Sequence, residues 1–466
     1  VIHPRGGLQE GVEPIVAAQD FAKIPFSVSR CPVFYGWVIV AVSTLAIICS
    51  IPGQTMGLGV FTDYLIGALG LSREQLSRTY MFGTVASGAI LPIAGRMLDR
   101  FGVRVMAVFA SIGLAIGLIL LSMSDSIANI GASQIMAVSD VWVAMPVITI
   151  CFLLMRFFGQ GTLTMVGRVA MGKWFNHRRG LATAISGIFV TFAFSAAPVL
   201  LNLLIDWLGW QGACVAMAAV IGGGMSLIAW LFYRDNPEQC GLVMDGVSDP
   251  AWLDRKAKQA TEIRREFTRR QAMQTLTFWA FSLGLSSYGL VITAVTFHLT
   301  NLGAEMGRSR QATLAIFWPM SIIGVLARFA SSWLNDRTSI GLKWHLVAMM
   351  AAEITGTFGV LFFHTTIGWT LTALGYGITG GLMGALLNIA WPRFFGRKHL
   401  GAISGLNMSV MVWASAVGPW LFSLGHNLTG DYKGAVAICS LLPAVILVAA
   451  LKAENPQTRL PADDTV

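Results

Sequence analysis

Gly95-Arg96-Met97-Leu98-Asp99-Arg100-Phe101-Gly102-Val103-Arg104 separates two long apolar runs, 75–97 and 104–123. Each run is about 20 residues, the length of helix that crosses a hydrocarbon core of about 30 Å. The charged stretch between them therefore reads as a loop at a membrane surface. Asp99 sits at a helix terminus beside Arg100 and Arg104, where its carboxylate can accept charge-assisted hydrogen bonds at the rim.

The same alternation continues in both directions. Apolar runs recur at 36–60, 144–169, 180–205, 211–233, 276–300, 311–334, 344–364, 368–392, 400–424 and 433–451. The chain is 55% hydrophobic and only 12% charged, roughly half the charged fraction of soluble domains. These features predict an all-α membrane protein of about twelve transmembrane helices. A closed β-barrel is excluded, because it needs short alternating strands.

Positive charge sets the orientation. The loops placed outside hold Arg73, Arg78, Arg308, Arg310 and Lys433, whereas those placed inside hold many more basic residues, including Arg100, Arg178, Arg179, Arg397 and Lys398. The excess predicts that both termini are cytoplasmic, in a multi-pass protein of the cell (inner) membrane. A net charge of +9 does not indicate nucleic acid, since the basic residues occupy short loops between apolar spans. Residues 1–35 show no basic segment followed by an apolar core and cleavage site, so no cleaved signal peptide is expected. The first helix then acts as its own insertion signal.

One long polar stretch divides the helices. The expected organisation is a tail at 1–35, a six-helix half at 36–233, a cytoplasmic linker at 234–275, a second six-helix half at 276–451 and a tail at 452–466. Within the linker, 254–270 reads as a solvated connector or a surface helix. The halves echo each other: Gly95–Arg100 resembles Ser332-Trp333-Leu334-Asn335-Asp336-Arg337, and Ala184-Ile185-Ser186-Gly187 matches Ala402-Ile403-Ser404-Gly405. Such echoes are what an internal duplication leaves. The unequal spacings place an insertion in the first half, supplied by 123–143.

Gly95–Arg104 closely resembles the GxLaDrxGrkr loop signature of the major facilitator superfamily. With the six-plus-six layout and the Arg178-Arg179-Gly180 cluster, the resemblance covers about 34–452. It implies that Gly95, Asp99, Arg100 and Arg104, with Asp336 and Arg337 in the second half, form a cytoplasmic latch that closes the two halves together. A weaker likeness, carried by Phe34-Tyr35-Gly36-Trp37 and by Arg328 eight residues before Asp336, points to the branch of monocarboxylate transporters and oxalate:formate exchangers. It implies that Arg328 binds a substrate carboxylate. The chain departs from that branch at Gly53-Gln54, where a lysine is usual, at Gly324, where an acid is usual, and in 401–424, which contains neither lysine nor arginine.

Charge inside a bilayer is costly and marks a pathway or a pair. Arg328 is the strongest candidate, because its planar fork can grip a carboxylate through two hydrogen bonds. Arg156, before the glycines of helix 4, reads equally as a substrate contact or as an interhelix tie. Arg168 reads as part of the cytoplasmic charge network. Gln54, Gln160, Tyr288, Asn388 and Asn407 are further candidates to bind a small polar ligand, and Trp318, Trp391 and Trp413 to narrow the cavity. Glu353 and His298 are the candidates for proton coupling, although each also reads as a structural residue.

HExxH, GxSxG and Walker patterns are absent, and neither the seven histidines nor the six cysteines show metal-ligand spacing. No metal or nucleotide cofactor is expected. The sequence predicts a monomeric secondary transporter, not an enzyme, that moves a small organic anion, most simply a monocarboxylate, by alternating access coupled to protons. The alternatives are an exporter of amphipathic or drug-like compounds and a non-transporting sensor or scaffold.

Overall fold

The computed structural model describes residues 25, 26, 28, 31–134, 140–246, 263–338, 340–430 and 432–459. Among them every regular element is a helix. Nine are long and apolar enough to cross a membrane, and Gly36–Cys49 is a shorter apolar helix. Two of the nine are double-length. Arg73–Ser122 is bent at Gly102 (φ 81°) and Arg179–Ala219 at Gly209 (φ 73°). Positive φ at these two bends is reached by glycine without the Cβ clash that other residues meet.

Separating the arms gives twelve crossings in two six-helix halves. We label them α1 (Gly36–Cys49), α2 (73–101), α3 (103–122), α4 (140–174), α5 (179–208), α6 (210–232), α7 (Leu276–Glu305), α8 (Phe317–Arg337), α9 (Leu342–Leu361), α10 (Thr366–Phe395), α11 (Leu400–Thr429) and α12 (Tyr432–Leu451). Capping fixes several starts: Ser72 and Gln75 form a capping box before α2, and the Thr275 hydroxyl accepts the Phe278 N–H at 3.1 Å before α7.

The first crossing corrects the expectation of one helix over 36–60. After Cys49 the chain passes through a 3-10 turn, Ile51–Gly53, and an extended Gln54 before resuming at Thr55–Val60 and Thr62–Leu69. Pro52 has no N–H for the helical ladder. The break lets Gly53 lie against the backbone of Met155 and Gly159 on α4, where a Cβ would overlap. The stretch read as an insertion carries a helix, Ser124–Gln134, whose Asp125 accepts a hydrogen bond from Gln211 at 2.9 Å; 135–139 lie outside the described residues.

Large apolar side chains on the outer faces stay open, Trp207 at 86% and Leu428 at 77%. In lipid such surface carries no hydrophobic penalty. Trp318, expected to narrow the cavity, is 77% exposed at the start of α8. Trp391 is buried instead.

The halves meet along α2 and α11. Gly95 packs on the backbone of Gly401, and Gly405 on Leu91 and Gly95, with no room for a Cβ at any of the three glycines. Farther along, Ser409 donates to the Gly88 carbonyl, and the Trp413 indole to Val85 at 3.0 Å. A second seam runs between α5 and α8.

The end of the bundle that carries Arg100, Arg178 and Arg397 is called the basic end below. Here chain outside the spans is built into the structure. Asp245, at φ 60°, accepts the N–H groups of Asn176, His177 (2.8 Å) and Arg178 (3.0 Å) in the α4–α5 loop. Glu266 does the corresponding work in the α10–α11 loop, accepting the Lys398 N–H at 2.8 Å. Gln457 is fully buried. Its side chain accepts the N–H groups of Arg264 and Arg265 at 3.1 Å and donates to the carbonyls of Arg265 and Phe394 at 2.9 Å. Residues 263–268 are not helical; the rest of the candidate surface helix, 254–262, lies outside the described residues.

Candidate functional site

α8 carries Arg328 near its middle, nine residues from the C-terminal end, or about 14 Å at 1.5 Å per residue. Its guanidinium lies against both neighbouring helices, α5 and α10. A Cβ at Gly187 on α5 or at Gly384 on α10 would overlap it, so these glycines form its seat. The Nε is buried without a partner among the described residues, and the side chain as a whole is half-buried.

The Tyr288 hydroxyl, on α7, abuts Gly380, one turn before Gly384 on α10. Asn388, one turn beyond Gly384, donates to the Gly384 carbonyl at 3.0 Å, and its own oxygen is buried without a partner among the described residues. Asn407 on α11 is buried, with its amide nitrogen 3.4 Å from the Met411 sulfur and its oxygen also without a partner among the described residues. Both amides are thus held by one end with the other unused, an arrangement suited to orienting a polar ligand.

Arg168, read from sequence as part of the cytoplasmic charge network, is half-buried, and its Nη1 contacts the Met408 sulfur on α11 at 3.3 Å.

Arg156 occupies a π-helical stretch, Arg156–Leu163. It donates to Thr55 at 3.2 Å and to the Gly53 carbonyl at 3.4 Å, and lies 5.2 Å from the centre of the Tyr80 ring. All these partners belong to the first half. Of the neighbouring candidates, Gln54 donates to Ser50 at 3.0 Å, and the Gln160 oxygen is buried without a partner among the described residues.

Glu353 on α9 is fully buried. One oxygen accepts from Ser287 at 2.7 Å and the other has no partner among the described residues. Thr357 and Tyr376 extend this polar group, with Tyr376 donating to Thr357 at 3.3 Å. His298 sits apart, 3.1 Å from the Pro419 carbonyl and stacked on Phe422.

At the basic end the Asp99 carboxylate accepts the N–H groups of Gly401 and Ala402, each at 2.7 Å. This is the N-terminus of α11, whose partial positive charge favours an anion. Arg104 is buried and donates to the Tyr233 carbonyl at 2.9 Å, while Arg100 lies over the Phe101 ring. Asp235, which sequence reading passed over, accepts the Val103 N–H and fills the space beside Gly102. Arg397 crosses between halves, donating to the Lys173 carbonyl and pairing with Glu238, both at 2.8 Å. Arg337 lies over the Trp333 ring; the Asp336 side chain is outside the described residues.

The chain matches the family described as Major Facilitator Superfamily over residues 42–419. Monocarboxylate transporter 11 of Mus musculus is 23% identical over 421 residues, spanning 87% of this chain and 84% of that one. The Probable sulfoacetate transporter SauU of Cupriavidus necator is 22% identical over 399 residues, covering 82% and 86%. Among solved structures, the proton:xylose symporter XylE has a TM-score of 0.64 at 14% identity, with 90% of this chain and 95% of that one covered. The human organic anion transporter MFSD10 has a TM-score of 0.57 at 14% identity, covering 88% and 98%. The family match spans most of the chain, both seams of the bundle lie where its two halves meet, and the chain belongs to the major facilitator superfamily of transporters, with monocarboxylate transporters among its relatives.

Proposed function

We propose that this transporter carries a small organic anion across the cell membrane by alternating access, with the anion's acidic group on Arg328. The observation that carries this reading is the seat of Arg328: a guanidinium in mid-bundle, between two glycines that make space for it, with a buried nitrogen that has no partner among the described residues. A permanently charged group held in this way is costly without a counter-charge, and a carboxylate matches its fork geometry. Tyr288, Asn388 and Asn407 orient the rest of the ligand. The names of the relatives, monocarboxylate transporters and a probable sulfoacetate transporter, support the same substrate class.

The basic end is cytoplasmic on this reading, with both termini on that side and 234–275 linking the halves. Asp99 against α11 and Arg397 against Lys173 and Glu238 support a state sealed at the cytoplasmic face. Coupling is to protons, with Glu353 as the carrier, because its second oxygen is available to bear the proton while Ser287 holds the first.

Calorimetry on purified protein tests the anion site. Arg328→Ala abolishes binding of small carboxylates, Arg328→Lys weakens it strongly, and both variants fold. Unchanged affinity in folded Arg328→Ala overturns the reading.

A further inference from the structure

Immediately before α7 the chain carries Arg264, Arg265, Arg269 and Arg270 within seven residues, a cluster in which the anion site at Arg328 has no part. Arg265 and Arg270 are exposed and Arg269 is half-buried, and none of these three forms an ion pair among the described residues. Arg265 lies over the buried Phe267 ring, 5.8 Å from its centre. Of the acids close by, Glu266 accepts the Lys398 N–H, and Glu454 stands where its carbonyl takes the Thr277 hydroxyl. Positive charge is therefore in excess. The cluster also adjoins a spanning helix, since Met273 is 37% and Leu276 50% exposed where the chain enters α7. The Trp279 indole donates back to the Met273 carbonyl at 2.7 Å. A tryptophan with one polar tie beside exposed apolar side chains is the pattern of a headgroup boundary. The segment is held firmly as well: the Phe267 N–H donates to the Phe395 carbonyl at 2.9 Å, Thr268 and Gln271 form a capping box, and Gln457 bonds the backbone of Arg264 and Arg265. Rigid presentation lowers the ordering cost of binding.

We propose that residues 264–276 form a docking surface for the headgroups of anionic phospholipids, with Arg265, Arg269 and Arg270 on the lipid phosphates and Met273 and Leu276 beside the upper acyl chains. Charge complementarity selects the occupant. A row of cations next to a spanning helix attracts an anionic leaflet and is indifferent to a zwitterionic one, and the adjoining apolar side chains favour a lipid over a soluble anion. The guanidinium fork matches phosphate oxygens. Because Glu266 and Phe267 are bonded to the α10–α11 loop, lipid docked here stabilises the folded basic end and not the short segment alone.

The test is thermal melting of the purified full-length chain in a neutral detergent, titrated with dihexanoyl phosphatidylglycerol, dihexanoyl phosphatidylcholine, glycerophosphate or polyglutamate. Phosphatidylglycerol is expected to raise the midpoint by about 2 °C or more beyond phosphatidylcholine, and the difference shrinks in high salt. The double variant Arg269→Gln, Arg270→Gln lowers the apparent affinity for phosphatidylglycerol by about fivefold for each arginine removed, while its melting in phosphatidylcholine is unchanged. Arg78→Gln is the control, since Arg78 already pairs with Glu74 at 2.6 Å, and it keeps the preference for phosphatidylglycerol. Equal shifts by the two lipids in wild type overturn the proposal, whatever the variants do. Glycerophosphate or polyglutamate matching phosphatidylglycerol overturns lipid docking in favour of a soluble phosphate or an acidic protein partner. Wild-type preference for phosphatidylglycerol in the folded double variant overturns the placement of the site before α7.

Discussion

Asp99 reaches across the interface to the Gly401 N–H at 2.7 Å, and the same carboxylate takes the Ala402 N–H at the same distance. An acid at the end of one helix thus caps the start of another in the opposite half. On the alternating-access reading proposed above, the two groups separate when the basic end opens, and the contact belongs to one state of the transport cycle. Asp99→Ala leaves two N–H groups without their acceptor, a loss of about 1–3 kcal/mol. The expected outcome is a shift of about tenfold or more toward the state open at the basic end. Labelling of a cysteine placed at Ser404 measures it, and unchanged labelling rejects the latch.

Gly384 is predicted to matter through Arg328. An added Cβ would overlap the guanidinium, so Gly384→Ala must move the arginine out of its seat. Anion affinity falls about tenfold or more, the scale of a charge-assisted contact, while thermal stability changes little. Gly223, around which a Cβ meets open space, is the control: Gly223→Ala leaves affinity unchanged.

Arg156 gives the opposite pattern. Its contacts to Gly53, Thr55 and Tyr80 tie the broken first crossing to α4. Arg156→Ala is expected to destabilise by about 2–4 kcal/mol, the scale for a buried charged group with several partners. A thermal melt shows the loss, and calorimetry shows an affinity for anions that falls less than in Arg328→Ala. A variant with wild-type stability and no anion binding would return Arg156 to the substrate site.

Glu353→Gln keeps an oxygen for Ser287 but cannot exchange a proton. In proteoliposomes the variant should lose uptake driven by a pH gradient while still exchanging labelled for unlabelled anion at zero gradient. Gradient-driven uptake at the wild-type rate assigns coupling elsewhere.

Gln457 satisfies backbone groups of Arg264, Arg265 and Phe394 from a fully buried position. Gln457→Ala strands them and loosens the segment that Glu266 anchors. Trypsin should cut after Arg264 and Arg265 several-fold faster in the variant, on the scale of about 1–3 kcal/mol of lost local stability. Equal cleavage rates would show that Glu266 and the Phe267 N–H, which donates to the Phe395 carbonyl at 2.9 Å, hold the segment alone.

The sequence by itself determined the membrane class and the number of crossings. Those depend on run length and on where charge interrupts it, both local properties. It also singled out Arg328, since an arginine inside an apolar run is conspicuous wherever the helix points, and it placed Asp99 and Arg104 at a rim. Tertiary structure decided which charges face each other. Arg168 and Arg156 look alike in sequence, two arginines on one helix, yet one turns to Met408 and the other to Thr55. The seat made by Gly187 and Gly384, residues on different helices, had no signature at all. Asp235, Asp245, Glu266 and Gln457 were invisible as structural acceptors for the same reason: the N–H groups they receive come from loops far away in the chain. Helix formation is written in near neighbours, whereas a cavity is lined by side chains that meet only after the helices have packed.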